Sequence, residues 1–269
     1  MPRTTTAERR PLPQSPALRE LGYWLHRYRR VWRGTVVISV ANPLLFLTAL
    51  GAGLGKLINA HAATALHGVP YLHFILPGLL AAAAMQTTYV ESAGPVMQSM
   101  RTRGNYRAAS ATPLDPSDIL HGHLMFVVLR VAMSGVMFAL VGAAFGAVGA
   151  VRALLLVPCA VLIGLAFATP VMAWAVTVTR PVALNQMMRF GILPLYMFSG
   201  TFFPTTQLPR WLQAAAEVTP LWHGVELCRT LALGTATALA TLVHVGYLAA
   251  MAAVGLWAAR RSYRRHLHT

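Results

Sequence analysis

The feature that most limits what this chain can fold into is a series of six apolar stretches with most of the arginines placed between them. They run approximately from Thr35 to Leu54, Leu72 to Gly94, Leu124 to Ala147, Ala153 to Val178, Met187 to Phe203, and Leu239 to Ala259. A helix crosses a hydrocarbon core of about 30 Å with roughly 20 residues, so each stretch is a candidate span, the fifth being short. Of the whole chain 56% is hydrophobic and 11% charged, where a soluble domain carries roughly 25% charged residues. A net charge of +15 would point to nucleic acid if it lay on a soluble face, but here it sits between apolar runs and speaks for a membrane. The reading is an all-α integral membrane protein of six transmembrane helices.

Charge placement orients the spans. Putting the N-terminus, the loops near residues 95 to 121 and 179 to 189, and the C-terminus in the cytoplasm collects 17 of 22 basic residues there. Eight precede residue 34, and Arg101, Arg103, Arg107, Arg180, Arg189, Arg260, Arg261, Arg264 and Arg265 follow. Lys56, Arg152, Arg210 and Arg229 fall outside, and Arg130 lies within a span. A positive-inside bias of this kind requires an even number of spans, which six satisfies. The Arg9–Arg10 pair precedes an apolar run of full spanning length, so the first run reads as a retained helix and not as a cleaved signal.

Three segments outside the spans have a pattern of their own. Before the first span, Leu18, Leu21, Leu25, Tyr28 and Trp32 recur at helical spacing among five arginines, which predicts an amphipathic helix at the membrane interface. Between spans two and three, Arg101, Arg103 and Arg107 lead into a turn at Pro113 to Pro116, with Ser117 or Asp118 placed to cap the third span. After span five, Pro204 and Pro209 interrupt the apolar run. Leu208, Trp211, Leu212, Ala215, Val218 and Trp222 then follow at helical spacing with Arg210, Gln213 and Glu217 opposite, until Pro220 breaks the pattern. These pieces are too short and polar to span and too apolar for bulk water. They read as shallow half-helices packed on the bundle, or as an interfacial loop.

Catalytic and metal motifs are absent from the sequence. In "GAGLGKL" the positions that a phosphate-binding loop requires as Gly and Ser or Thr are Leu50 and Leu57, so ATP is not bound by that route. His121 and His123 diverge by about 200° on a helix, and no cysteine completes a metal set. Cys159 and Cys228 read as buried thiols. Glu91 and Arg130 each lie roughly 12 to 14 Å inside the end of a span. A charge near mid-bilayer costs about 2.5 to 3.5 kcal/mol, so an interhelical ion pair between them is the expected arrangement.

"ATPLDPSDILHGH" (Ala111 to His123), "YLHFILPGLL" (Tyr71 to Leu80) with "YVES" (Tyr89 to Ser92), and "SGTFFPTTQLPRWLQ…TPLWHGVELCR" (Ser199 to Arg229) resemble the permease subunits of type-2 ATP-binding-cassette exporters. The lipo-oligosaccharide (nodulation-factor) and daunorubicin-resistance branches are the most similar, and the resemblance covers about residues 20 to 265. The arm at 1–15, rich in Thr, Arg and Pro, has no counterpart in that family and reads as disordered and cytoplasmic from its composition. The resemblance implies an interfacial helix at 16–33, a six-helix transmembrane domain at 34–260 and a basic tail at 261–269. It also implies a coupling segment to a separate ATPase at Arg101, Arg103, Arg107, Pro113, Asp115 and Asp118, and extracellular re-entrant helices that include Pro204, Pro209, Trp211, Glu217 and Pro220. The implied function is ATP-driven export of an amphiphile, a lipid-linked glycan or a hydrophobic drug, by a homodimer or heterodimer of permeases in the cell membrane, both termini cytoplasmic. ATP and Mg would sit on the partner, and no cofactor on this chain. A secondary transporter coupled to ions or protons would need more intramembrane carboxylates than this sequence has; a non-transporting scaffold would need no path at all.

Overall fold

The computed structural model describes residues 15–54 and 68–267. The expectations placed on residues 1–14, on Lys56 and on residues 268–269 of the tail lie outside the described residues.

Helix α1 (Pro16–Tyr28) is followed by a short turn and α2 (Trp32–Phe46), which continues as a π-helix, Leu47–Leu54. Then come α3 (Tyr71–Arg101), the short α4 (Asn105–Ser110), α5 (Pro116–Ala144) and α6 (Ala150–Ala175). α7 (Pro181–Met187) passes through a π turn (Met188–Ile192) into α8 (Leu193–Phe198). A 3-10 turn (Thr205–Gln207), α9 (Arg210–Glu217), α10 (Pro220–Leu233) and the long α11 (Ala238–Leu267) complete the described chain, which contains no strand among the described residues.

Three helices among the described residues are long and apolar enough to cross a membrane: α5, α6 and α11. The centre of the bundle is α6, against which α3, α5, α10 and α11 all pack. Leu156, Ile163, Ala168 and Met172 of α6 are fully buried there, together with Ile75, Leu76 and Met85 of α3. Outward faces stay apolar: Leu239, Leu242, Val254 and Trp257 of α11 are exposed, and no side chain of α7 or α8 is buried. Such a surface suits hydrocarbon and not water.

Local chemistry sets where the helices begin. Asp115, not Ser117 or Asp118, is the N-cap of α5: its carboxylate accepts from Ser117 N at 2.8 Å, and Asp118 Oδ2 accepts from Asp115 N at 3.2 Å. Pro116 then occupies the first turn, where a missing N–H costs nothing, so the helix starts two residues earlier than a Ser117 cap would place it. The amphipathic helix is also shorter than its pattern. α1 ends at Tyr28, and Trp32 opens α2.

The buried line of α1 is rotated relative to the leucine pattern. Glu20 and Trp24 are buried, Leu21, Leu25 and Tyr28 are half-buried, and Leu18 and Trp32 are exposed. Gly122 of α5 explains the rotation, because a Cβ there would lie 2.5 Å from Glu20 Cβ and 2.6 Å from the Ala17 carbonyl oxygen. The absence of a side chain lets the α1 backbone lie directly on α5. Gly122→Val is therefore expected to lower thermal stability in detergent by about 1–3 kcal/mol and to speed proteolysis at Arg19 and Arg27. Gly94→Ala, whose new methyl meets open space, should leave both unchanged.

Candidate functional site

Polar side chains collect at two levels of the bundle, near Glu91 and near Phe74 on α3, roughly 25 Å apart along that helix at 1.5 Å per residue. The level near Glu91 joins α1, α3, α4 and α5; we call it the basic end, since Arg101, Arg103 and Arg107 lie on the same side of it.

The basic end is organised by a proline. Pro95 of α3 has no N–H, so the carbonyl of Glu91 four residues earlier loses its helical partner. His123 of α5, fully buried, fills that gap: its Nε2 lies 3.0 Å from the Glu91 carbonyl oxygen and donates to it. The tautomer follows, because a proton on Nε2 leaves Nδ1 as an acceptor, and the Tyr106 hydroxyl of α4 donates to Nδ1. Trp24 of α1 stacks on the same imidazole at 3.8 Å between ring centres and 12° between planes. One ring thus touches three other helices.

Beside it, Arg130 of α5 is 5% exposed, and its Nε donates to Glu91 Oε1 at 2.9 Å. Its Nη1 donates to Tyr28 Oη at 3.0 Å, and its guanidinium carbon lies 4.8 Å from the Tyr28 ring centre. The structure therefore brings Glu91, Arg130 and Tyr28 together. Of the remaining residues singled out in the sequence at this end, Arg101, Arg103, Arg107, Pro113 and Asp115 are exposed, and Asp118 closes the capping box. Glu20, buried, accepts from Trp24 Nε1 at 2.9 Å. Burial pushes its carboxyl from an ordinary 4.5 up to about 7, against the lowering effect of the Trp24 bond.

The second level holds the proline-rich segment. The buried Arg229 of α10 donates from Nη1 to Glu226 Oε1 at 2.6 Å and from Nη2 to the Gly200 carbonyl at 2.5 Å, with its guanidinium 3.9 Å from the Phe74 ring centre. Gly200 has φ +78°, the left-handed turn that ends α8's run. His223 and His244 meet Nδ1 to Nδ1 at 2.8 Å, and His223 stacks on Tyr247 at 3.9 Å, joining α10 to α11.

Pro204, Glu217 and Pro220 are half-buried, Pro209 is exposed, and Glu217 accepts from Gln213 Nε2 at 2.9 Å. α9 contradicts the idea that both short helices pack their apolar face on the bundle. Trp211 is 73% and Val218 70% exposed, whereas Ala216 is the buried residue of that helix. α10 does pack, through Leu221, Val225 and Cys228. The difference arises because Gln213 and Glu217, paired with each other, take up the inward side of α9.

Among the described residues no group of three His, Cys, Asp or Glu is placed to hold a metal, and Cys159 and Cys228 are buried free thiols. The arrangement has no nucleophile with a base. What it has is a mechanical link: a short helix, α4, joined through one imidazole to the broken backbone of a long one.

These features are those of an all-helical membrane protein, and the comparisons give its family. The model of the ABC-2 type transporter family matches residues 23–233. Nodulation protein J of Rhizobium meliloti (strain 1021) is 30% identical over 233 residues, 83% of this chain and 84% of that protein. Nodulation protein J of Rhizobium leguminosarum bv. trifolii is 29% identical over 254 residues, covering 91% and 94%. The inner membrane transport permease YadH of Escherichia coli (strain K12) is 22% identical over 202 residues, covering 75% and 77%. The chain belongs to the ABC-2 type transporter family, within its nodulation branch. It is a multi-pass membrane subunit of an exporter whose ATP hydrolysis belongs to a partner chain.

Glu20, Trp24, Tyr106, His223 and His244 were not singled out from the sequence, and His123 was weighed there only as a metal ligand. The pairing of Glu20 with Trp24 at i, i+4 was available as a signal, as was Pro95 four residues after Glu91.

Two outcomes test this site. Glu91→Gln with Arg130→Gln should lower folded yield less than the sum of the single changes, since each single change strands a buried partner; additive losses would refute the pairing. Glu20 holds its proton more tightly when folded. The stability it contributes is therefore full below about pH 4.5 and lost as the pH rises to about 7. Thermal melts of Glu20→Gln should lack that decline.

Proposed function

We propose that this chain moves an amphiphile, a lipid-linked glycan such as a lipo-oligosaccharide or a hydrophobic drug, out across the cytoplasmic membrane as one of a pair of permeases. What supports this reading most is the junction at His123, where α4, in the loop between the second and third spans, is tied to α1 and α3.

The spans in this reading are six. Beyond α5, α6 and α11 they are Trp32–Leu54, continuously helical, the 31 residues of α3, and the run from Pro181 to Phe198. That last run, at 1.5 Å per residue, reaches roughly 27 Å. Both termini and the basic end then face the cytoplasm, where most of the arginines lie. Leu18, Leu21, Leu25, Tyr28 and Trp32 serve the interface. The segment with Arg101, Arg103, Arg107, Pro113, Asp115 and Asp118 couples to the ATPase.

On the outer side, Pro204, Pro209, Trp211, Glu217 and Pro220 belong to a re-entrant lid. α9, with Trp211 and Val218 outward, lies in the headgroup layer, while α10 enters the bundle. The resemblance to the lipo-oligosaccharide (nodulation-factor) branch supports a glycolipid-like substrate, and the scarcity of intramembrane charge supports an amphiphile over an ion.

Closure of the ATPase dimer would displace α4. Tyr106 then pulls on His123, and His123 on the proline break of α3. Arg101→Glu with Arg107→Glu is expected to cut co-purification of the ATP-binding partner severalfold while membrane insertion stays normal; undiminished co-purification removes these residues from coupling. Trp211→Cys should react with an impermeant thiol reagent added outside intact cells, and reaction from the cytoplasm alone would reverse the lid's placement.

A further inference from the structure

A cavity of about 300 Å³ lies between α1 and the end of α3, lined by Tyr23, His26, Arg27, Arg30 and Arg103. Three guanidinium groups and an imidazole converge on it without a carboxylate. Among the described residues the two ion pairs are Arg130 with Glu91 and Arg229 with Glu226, and neither includes a residue of this cavity. Glu20, on the same helix, is buried and bonded to Trp24. The Arg27 Nη1 is covered by protein and has no hydrogen-bond partner, while its guanidinium carbon lies 5.3 Å from the Trp24 ring centre. Burial first, and then the like charge of Arg103, lower the pKa of Arg27. Glu91 acts on Arg27 only through space, being bonded to Arg130, so this cluster, on a helix held firmly by Gly122 and Trp24, has no carboxylate in contact with it.

We propose that this cavity binds the phosphodiester headgroup of an anionic phospholipid, with Arg27, Arg30 and Arg103 around the phosphate. The neighbouring surface decides for a lipid over a soluble anion. Arg30 also lines a second cavity with Arg29, Val31, Trp32 and Arg33, and α2 starts at Trp32. Val37 and Leu45 of α2 are 65% and 67% exposed, so hydrocarbon begins within about two turns of Arg30. Trp32 is exposed with Arg33 5.8 Å from its ring centre, an arrangement typical of headgroup level. Arginines at that level attract anionic lipid, each by an amount that makes three together strongly selective. The bidentate fork of arginine suits a phosphate better than lysine would. The site rests on the membrane setting of the chain and holds whichever substrate is exported. A headgroup there would tie α1, through Arg27 beside Trp24, to Arg103 after the end of α3, and so brace the helix that carries Tyr28 to Arg130.

Native mass spectrometry of the full chain in neutral detergent tests this. With phosphatidylglycerol and phosphatidylcholine added in equal amounts, the chain should retain phosphatidylglycerol preferentially. Arg30→Gln with Arg103→Gln, both exposed and so tolerated by the fold, should weaken that retention about tenfold or more. Arg264→Gln with Arg265→Gln, equally exposed at the end of α11, should not. Equal retention of the two lipids, or equal losses in both double variants, would overturn the site in favour of diffuse charge or an acidic protein partner. Displacement of phosphatidylglycerol by millimolar inorganic phosphate would overturn the lipid and leave a simple phosphate site.

Discussion

The contact between Arg130 and Glu91 is the one on which the basic end depends. Arg130 stands within a helix otherwise apolar enough to cross a bilayer, and a lone charge there would face a penalty of several kcal/mol. Glu91 meets it from α3 and Tyr28 from α1, so the arginine is satisfied only while three helices keep their places. The same residue Glu91 supplies the carbonyl that Pro95 has orphaned and His123 recovers. Charge pairing and backbone repair are thus concentrated on one turn of α3. A shift of that turn disturbs both at once, which is the condition for a displacement at α4 to have a discrete consequence deeper in the bundle.

The other polar level follows the same logic with different parts. Arg229 is buried, and it is neutralised by Glu226 within its own helix, leaving the second arm of the guanidinium for the Gly200 carbonyl. A turn that a β-carbon would strain is therefore held by a charged hydrogen bond, stronger than a neutral one. Gly78 of α3 makes room for the adjoining strand of chain, since a Cβ there would lie 2.8 Å from the Thr201 carbonyl oxygen. α3 is the common element. It carries the receiving surface for the proline-rich segment at one end and the repaired break at the other.

Much of this was legible because membrane physics is severe. Apolar runs of spanning length locate α5, α6 and α11, and an intramembrane Glu and Arg demand partners whatever the fold. Less legible were features that depend on a neighbour. Leucine spacing on α1 indicates an amphipathic helix, but the side that docks is chosen by the missing side chain of Gly122, on another helix. Trp211, Ala215 and Val218 form a correct apolar face on α9, yet that face turns away from the bundle because the paired Gln213 and Glu217 occupy the other. The histidines looked like poor metal ligands, whereas in the structure His123 and His223 make single hydrogen bonds across helices. No spacing rule reveals that. The π-helical turns at Leu47–Leu54 and Met188–Ile192 likewise have no periodic signature.

α1 shows how these constraints combine. Its inner side is held by neutral or paired contacts: Trp24 on His123, Glu20 on Trp24, Tyr28 on Arg130. Its outer side carries Arg19, and the turn that follows it Arg29 and Arg30, all exposed, as suits arginines in water or among anionic groups. In the proposed reading a helix divided in this way lies flat at the membrane boundary, because tilting inward would bury arginines and lifting outward would strip His123 of its stacked partner. α4 hangs from the same imidazole through Tyr106. The two elements outside the spans are therefore referenced to one buried ring, and their separation is set by the width of that ring and its hydrogen bonds, not by the loops that join them.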